Sequence, residues 1–421
     1  MRAALAVLMA VTLAGGGDLD PSFSGDGWVR TLEVRSATNN YLPKGAEDAA
    51  LQPDGKILAV GEIIDGTSHW YFGVFRYLPD GTLDPSFGER GFAELQIGTV
   101  SFANAVAVQR DGRIVVAGEG SCPRAICFAA ARFMPDGTVD RSFGEGGVVR
   151  TMFSQCGCRA YDVAVQHDGR IVLAGMRQRG GDAQDDELFA VARYLPDGRL
   201  DRTFSADGRA SVDFGFGDDE AFAVAVQPDG RLVVAGGGTR NRYRTEDDFA
   251  FARFRRDGTL DRSFSGDGRA TVDFGQRRSD TVHGLALGRN GRIVAAGSSG
   301  KKDAPPRIAV VRLAGNGLPE SRRLASPGPF GGYALAAVQQ SDGGVVVAGR
   351  AFEDNRFDSS DWVVARYGPG GALDRSFGRS GLVVSDFGTG ADWAGALALQ
   401  PNGRIVVAGS IYESQALARY R

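Results

Sequence analysis

The sequence predicts an all-β protein, a seven-bladed β-propeller made of four-stranded antiparallel blades. Three phrases recur in the same order about every sixty residues, and such fixed-period self-similarity is typical of stacked or circular repeat proteins. The phrases are Leu-Asp-x-Ser-Phe, as at 19–23, two apolar runs around a turn that ends in Gly, as at 223–236, and Ala-Arg-Tyr/Phe, as at 192–194. Glycine accounts for 61 of 421 residues, many of them at turn positions, which suits a β-rich chain.

Each unit supplies four short strands. Residues 223–227 and 231–235 predict a hairpin around the turn Pro-Asp-Gly, the third strand lies at 249–254, and the fourth at 269–274. No helical periodicity interrupts them. A propeller blade therefore fits better than the alternative, a β-helix, which would need shorter and more regular coils.

The two ends of the chain predict how the ring closes. The chain opens on an outer strand at 28–34 and stops on a third strand at 415–420, so the last blade is one strand short. Pairing these two segments would close the ring and remove the exposed edges that invite aggregation.

The N-terminus and the composition predict an exported, monomeric protein. Arg2 precedes an apolar stretch at 3–14, and Thr12 and Ala14 supply the small residues of a cleavage site, so residues 1–14 read as a signal peptide and 15–421 as one propeller domain. The alternative is a strand-forming or disordered N-terminus of a cytosolic protein. No segment is long enough to span a membrane. A net charge of −3 without a dense basic run argues against nucleic acid as a partner.

The repeated phrases resemble the delta-60 repeat, an uncharacterised β-propeller repeat of exported bacterial proteins that is similar in layout to NHL-type blades. The residues that carry this resemblance are those of the phrase Leu-Pro-Asp-Gly-Thr-Leu-Asp-x-Ser-Phe-Gly, as at 78–88, and it extends over 18–421. The resemblance implies a propeller and export, and it transfers no activity or cofactor. One unit departs from the pattern, because 318–321 lacks both the Asp and the Phe.

Residues that recur in every unit are interpreted as structural. We expect the arginines of the third phrase to pair with the Asp of the following Leu-Asp or with backbone carbonyls, and the Phe of Leu-Asp-x-Ser-Phe to fill the space between blades. The segments at 20–26 and 261–267 begin like calcium loops but lack the late bidentate Glu, so they are predicted to be turns. The arginines are Arg76, Arg132, Arg193, Arg253, Arg312, Arg366 and Arg419.

The loops that vary between units indicate where a ligand could bind. Connections between strands two and three, and between blades, share one face of a propeller, and here they are long and irregular while the opposite turns are short and uniform. The variable set includes 65–71, 177–186, 238–248, 298–306 and 352–361. We call this side the variable-loop face.

Carboxylates at the blade entries are the candidate ligand site. They lie at the channel mouth of the variable-loop face and are expected to be exposed, and either a cation or a sugar could use them. Solvated acidic loops without a ligand are the alternative. The candidate residues are Asp219, Glu220, Asp280, Asp392 and Trp393.

The function predicted is an exported scaffold that binds a partner protein, a surface polymer or a glycan, located outside the cell, in the periplasm or on the cell surface. The alternative is a glycoside hydrolase or lyase that uses the carboxylates at the channel mouth. His69, His167 and His283 belong to different units, so neither a metal centre nor a catalytic triad is predicted, and no cofactor is expected.

The cysteines predict disulfide bonds. Cys122 and Cys127 fall in one variable loop, and Cys156 and Cys158 fall in the next blade entry on the same face. A bridge between Cys156 and Cys158 would be strained, so two crossed bridges between the loops are expected, in either connectivity. Free or metal-binding thiols are the alternative.

Overall fold

The structure is a computed structural model whose described parts cover most of the chain. The described residues are 17–35, 40–153, 157–180, 186–239, 246–275, 277–301, 304–354, 359–388 and 390–421. In these parts the chain forms β-strands and a single short 3-10 turn at Arg289–Gly291. No helix in them has the length and apolar character needed to cross a membrane.

The strands, in chain order, are β1 (Trp28–Thr31), β2 (Val34–Arg35), β3 (Asn40–Pro43), β4 (Asp48–Leu51), β5 (Ile57–Asp65), β6 (Trp70–Tyr77), β7 (Phe92–Leu95), β8 (Ser101–Val108), β9 (Ile114–Ser121), β10 (Ile126–Phe133), β11 (Val148–Thr151), β12 (Cys158–Val165), β13 (Ile171–Gln178), β14 (Glu187–Tyr194), β15 (Arg209–Val212), β16 (Phe216–Val226), β17 (Leu232–Thr239), β18 (Asp248–Phe254), β19 (Arg269–Val272), β20 (Ser279–Leu287), β21 (Ile293–Lys301), β22 (Ala304–Leu313), β23 (Pro319–Ala325), β24 (Gly332–Gln339), β25 (Val345–Phe352), β26 (Ser360–Tyr367), β27 (Leu382–Ser385), β28 (Trp393–Leu399), β29 (Ile405–Ile411) and β30 (Ser414–Tyr420).

The strands form the seven antiparallel blades that the repeat predicts. Blades 1 to 6 are β4–β7, β8–β11, β12–β15, β16–β19, β20–β23 and β24–β27, and blade 7 is β28–β30 with β1. Blade 1 also carries the short strands β2 and β3, of which β3 pairs with the far end of β5. The first strand of each blade faces the central channel, and the core fills the space between neighbouring blades.

Ring closure occurs as predicted. Strand β1 runs antiparallel to β30, with Trp28 opposite Ala418 and Thr31 opposite Gln415. The amide of Asp20 also donates to the carbonyl of Arg419 at 2.8 Å. The N-terminal strand thereby supplies the missing outer strand of blade 7.

The repeated arginines connect successive blades. Arg193 donates from Nε to Asp201 in its own blade at 2.8 Å, and from Nη1 to the carbonyl of Arg256 in the next blade at 2.6 Å. Its guanidinium also lies over the buried ring of Phe204, 4.6 Å from the centroid. The same combination of an ion pair, a cation–π contact and an inter-blade hydrogen bond recurs at Arg76, Arg132, Arg253 and Arg419. The arginines that pair with the following aspartate are Arg76, Arg132, Arg193, Arg253, Arg366 and Arg419.

These contacts confirm the structural role predicted for the arginines, and they explain the state of their aspartates. Burial alone raises the pKa of Asp201, but hydrogen bonds from Thr203 and Arg170 and the charge of Arg193 outweigh it and lower the pKa to about 2. Asp261, in one of the segments that begin like calcium loops, pairs with Arg253 and accepts from the hydroxyl of Ser263 at 2.8 Å. That segment is a turn, as predicted.

The irregular fifth blade keeps its outer strand by other contacts. Arg312 lacks the aspartate partner and donates instead to the carbonyls of Pro369 and Gly368 in the next blade. Strand β23 spans 319–325 and pairs along β22 despite the missing phrase.

The predicted pairing of the cysteines is wrong. The disulfide joins Cys122 to Cys127, whose Cα atoms are 5.8 Å apart, and Cys158 is a buried free thiol. The β9–β10 turn is tight, since the amide of Cys122 donates to the carbonyl of Ala125 at 3.0 Å, and this brings the two sulfurs of one loop together. The prediction assumed that all four cysteines pair. Cys156 lies outside the described residues.

Candidate functional site

The inner strands of blades 2 to 7 each place one residue in the central channel by means of a β-bulge. In blade 2 the register shifts between Ala103 and Ala105, and the extra residue, Asn104, points away from the ladder. The same shift recurs in blades 3 to 7, and in blade 1 Glu47 occupies the equivalent place just before β4. The channel ring formed in this way consists of Glu47, Asn104, Tyr161, Phe222, His283, Leu335 and Gly395.

The channel ring surrounds a cavity of about 460 Å³. This volume lies within the range of small-ligand pockets, roughly 300–1,000 Å³. Its lining is unevenly distributed between aromatic and acidic side chains, so a bound molecule would meet different chemistry on its two sides.

Aromatic side chains form a continuous arc across blades 3 to 7. The ring centroids of Tyr161 and Phe222 lie 4.9 Å apart with nearly parallel planes, those of Phe222 and His283 are 5.2 Å apart, and those of His283 and Tyr333 are 6.1 Å apart. Arg350 continues the arc, because its guanidinium lies 4.8 Å from the Trp393 ring and 5.9 Å from that of Tyr333. We call these five rings the aromatic arc.

His283 behaves as an uncharged ring within the arc. Burial lowers its pKa to about 4, so the imidazole is neutral near pH 7. It therefore offers a flat stacking surface rather than a cation.

On the opposite side, Glu47 and Asp48 line the cavity, and Glu62 of blade 1 and Glu119 of blade 2 lie near them. Burial raises the pKa of Glu62 to about 7, and the charges of Glu47 and Glu119 add to the rise. The side chain of Glu47 is exposed to the channel. Because the channel lies deep within the protein, Glu47 is partly desolvated, and this raises its pKa as well. We call Glu47, Asp48, Glu62 and Glu119 the acidic sector.

Two channel carboxylates also join blades. Asp48 accepts from the amide of Val106 in blade 2 at 2.8 Å, and Asp162 accepts from the amide of Val224 in blade 4 at 2.6 Å. Burial raises the pKa of Asp48 to about 7 and that of Asp162 to about 8, the latter helped by the charge of Asp48. Both side chains line the cavity, so the same carboxylates that join neighbouring blades are also part of the candidate site.

The sequence-predicted aspartates lie at the blade entries, but the expectation that they are exposed is wrong. Asp219, Asp280 and Asp392 are fully buried. They accept backbone amides, Asp219 from Phe214 at 2.7 Å and Asp280 from Phe274 at 2.8 Å. Each aspartate occupies the position three residues before the bulge, and its side chain is buried beneath the entry loop. Ser101 occupies the same position in blade 2, where its hydroxyl accepts the amide of Ile97.

Trp393 lines the channel cavity, and Glu220 contacts a residue that lines it, Tyr161. Glu220 accepts from the hydroxyl of Tyr161 at 2.9 Å, and Trp393 is part of the aromatic arc. Gly45 makes room for Trp393, since a Cβ there would lie 3.1 Å from the indole and its φ is +133°. Segments 181–185, 240–245, 302–303 and 355–358 of the variable loops lie outside the described residues.

Sequence reasoning missed the channel ring itself. Its only signal was a variable residue between two small ones at the start of each inner strand, as in Ala103-Asn104-Ala105 and Ala221-Phe222-Ala223. An alternating apolar pattern does not show where the strand register shifts by one residue, so it could not predict which residue enters the channel.

Comparison with known families agrees with the repeat. The model described as "Domain of unknown function (DUF5122) beta-propeller" matches residues 52–87, 109–143, 166–204, 227–264, 289–321 and 340–377, more than half of the chain. The chain belongs to this propeller family. No curated protein matches it.

Solved propellers resemble the chain only distantly. Sqt1 from Chaetomium thermophilum is 15% identical with a TM-score of 0.48, and covers 90% of this chain and 96% of its own. A protein of unknown function from Dyadobacter fermentans is 13% identical with a TM-score of 0.47, at 94% and 98% coverage. The polysaccharide lyase Uly1 is 10% identical with a TM-score of 0.49, at 89% coverage of each chain. Such low similarity carries no argument about function.

Proposed function

We propose that this protein is an exported propeller that binds a glycan in its central channel, entered from the variable-loop face. A sugar ring has an apolar C–H face and a hydroxyl edge. The aromatic arc supplies flat apolar surfaces for the first, and the acidic sector supplies hydrogen-bond acceptors for the second. A narrow channel is less suited to a partner protein or to a non-carbohydrate polymer.

The observation that carries this proposal is the near-continuous arc from Tyr161 to Trp393 opposite the acidic sector. Stacked rings around much of the channel, together with the channel-lining carboxylates Glu47, Asp48 and Asp162, are complementary to a saccharide that threads or enters the channel. Near neutral pH, His283 adds to this stacking surface because its imidazole is uncharged.

Glycan-array binding tests the proposal. We expect the wild-type protein to bind a subset of glycans, and Trp393→Ala and Tyr333→Ala to weaken that binding about tenfold, since an aromatic contact contributes about 1 kcal/mol beyond its buried area. Leu318→Ala is the control, because Leu318 is exposed and lies outside the channel. Binding that all three variants retain equally would place the ligand elsewhere.

Histidine variants form a second matched pair. His283→Ala should weaken glycan binding, whereas His167→Ala should not, because His167 lies beside a cavity on the face of the uniform turns. Equal losses in the two variants would contradict a site within the arc.

One observation favours the enzymatic alternative, a glycoside hydrolase or lyase. Asp48 and Asp162 both line the channel and hold raised pKa values, so either carboxyl could be a proton donor near neutral pH. A screen of polysaccharides for new reducing ends or unsaturated sugar products tests it. Turnover abolished by Asp162→Asn would support catalysis over binding alone.

Export is part of the same proposal. The predicted signal segment at 1–14 lies outside the described residues, and the Cys122–Cys127 disulfide is compatible with an oxidising compartment. N-terminal sequencing of protein recovered outside the cytoplasm should show cleavage after Ala14. Recovery of the intact chain in the cytoplasm with free Cys122 and Cys127 would contradict it.

A further inference from the structure

Carboxylates from separate elements converge at the junction of blades 6 and 7. Glu353 follows β25, Asp361 lies at the start of β26, and Asp386 follows β27. One carboxylate oxygen of each lies within 4.8 Å of the others. The group belongs to the variable-loop face but stands on the outer strands of blade 6, away from the channel ring.

Two buried carboxylate oxygens at this junction have no hydrogen-bond donor among the described residues, and Asp361 has the Glu353 carboxylate beside it. Asp361 is only 9% exposed, and its Oδ1 has no hydrogen-bond partner among the described residues. Neighbouring Asp392 is fully buried and accepts from the amide of Tyr412 through Oδ1, while its Oδ2 is unpartnered within the same described parts. A buried carboxylate without a partner is costly, so a ligand that satisfies it would be bound favourably.

The charges around Asp361 are of one sign. Burial raises its pKa to about 7, and the negative charges of Glu353, Asp386 and Asp392 raise it further. Arg30 places a positive charge near Asp392, on the blade 7 side. The junction therefore concentrates acceptor oxygens and negative charge in a site that a cation would neutralise.

We propose that Glu353, Asp361 and Asp386 bind a calcium ion, with Asp392 beside them as a further acceptor. Calcium takes oxygen ligands at 2.3–2.6 Å, so ligands of one ion stand at most about 5 Å apart, and the observed oxygens meet that limit. Magnesium prefers near-ideal octahedral geometry and usually keeps several waters, whereas the flexible shell of calcium accepts several protein carboxylates, so three carboxylates from separate elements favour calcium.

The repeat places a related group at the junction of blades 4 and 5. Asp248, Asp273 and Asp280 occupy the positions equivalent to Asp361, Asp386 and Asp392, and their oxygens also lie within 4.8 Å of one another. The same arrangement of carboxylates therefore occurs at two blade junctions and is not confined to one loop.

Calcium titration of the chelator-treated full-length protein tests the proposal. We expect calorimetry to detect binding with a Kd of about 10⁻⁴ to 10⁻³ M, the range of extracellular calcium modules, and the melting temperature to rise with calcium. Asp361→Asn and Asp386→Asn should each remove one equivalent of bound calcium. Equimolar magnesium should not replace it.

Asp342→Asn is the matched control. Asp386 and Asp342 both belong to blade 6, and each accepts the amide two residues further on at 2.8 Å, from Gly388 and Gly344 respectively, a bond that asparagine can keep. Asp342→Asn should leave the calcium stoichiometry unchanged. No calcium binding by the wild type, or the same stoichiometry in folded Asp361→Asn and Asp386→Asn, would overturn the proposal. Tighter binding of magnesium would overturn the choice of ion.

Discussion

Arg193 and Arg199 each hold an aspartate at 2.8 Å, but in different surroundings. Arg193 and its partner Asp201 are 4% and 2% exposed in their side chains, whereas Arg199 and Asp197 are 76% and 47% exposed. The geometry is alike, so the difference in energy should come from burial. We therefore expect the buried pair of Arg193 and Asp201 to stabilise the fold more than the exposed pair of Arg199 and Asp197.

Arg193→Leu should lower the free energy of unfolding by about 2 kcal/mol, because Asp201 and the carbonyl of Arg256 lose a buried charged donor while Arg170 still pairs with Asp201. Arg199→Leu, the control, should cost less than about 1 kcal/mol. Urea unfolding followed by circular dichroism measures both. Equal losses would show that burial does not control this pair.

The raised pKa of Asp162 predicts that stability falls as the pH rises from acidic values to about 8. Its pKa is about 8 in the folded chain and ordinary in the unfolded chain, so between those values the folded state holds the extra proton. Stability from this group is present below about pH 4 and is lost as pH rises through 8. The melting temperature should fall between about pH 4 and pH 8 and change little from this group above that range. Asp162→Asn should flatten that fall, while Asp168→Asn, in an exposed turn, should reproduce the wild-type profile.

At the scale of a single element, the blade-entry loop depends on one buried acceptor. Ser101 is fully buried and its hydroxyl accepts the amide of Ile97 at 2.7 Å. Ser101→Ala should cost about 1–3 kcal/mol, since the amide loses its partner. Thr99→Ala in the same loop should change stability by less than about 0.5 kcal/mol, because Thr99 is exposed. Thermal melts of the two variants decide between them, and a neutral Ser101→Ala would refute the capping role.

The elements also show what the sequence could and could not predict. Alternating apolar runs and the Pro-Asp-Gly turn identified the strands of each blade, because both signals are local. The bulge at Asn104 and the burial of Asp280 depend on how an entry loop folds back, which no local pattern encodes. The prediction of crossed disulfides was wrong because it assumed that all four cysteines pair, whereas the β9–β10 turn joins Cys122 to Cys127 and leaves Cys158 free.

At the scale of the whole molecule, stability depends on the join between the two ends. Strand β1 completes blade 7, and Asp20 pairs with Arg419 at 2.9 Å across that join. The ring is thus held by main-chain ladder bonds and a buried ion pair rather than by a covalent link. Every other blade is continuous in sequence through its outer strand.

Deleting residues 18–35 should expose the edge of β30 and give a protein that aggregates or melts at lower temperature. A chain that starts at residue 17 is the control and should match the full-length protein. Size-exclusion chromatography and thermal melting measure the outcome. A deletion variant with unchanged melting temperature and monomeric elution would contradict this role of β1.

Because β1 and β30 join the two ends of the chain, the ring does not require any particular blade to come first in the sequence. The amide of Gly17 lies 2.6 Å from the carbonyl of Arg421, so the two backbone ends of the described ring already touch. Joining them by a short glycine linker and opening the chain at an exposed Pro-Asp-Gly turn would give a circular permutant with an intact blade 7. Such a molecule could begin with any blade and fold to the same ring, with its new termini on the face opposite the proposed glycan entrance.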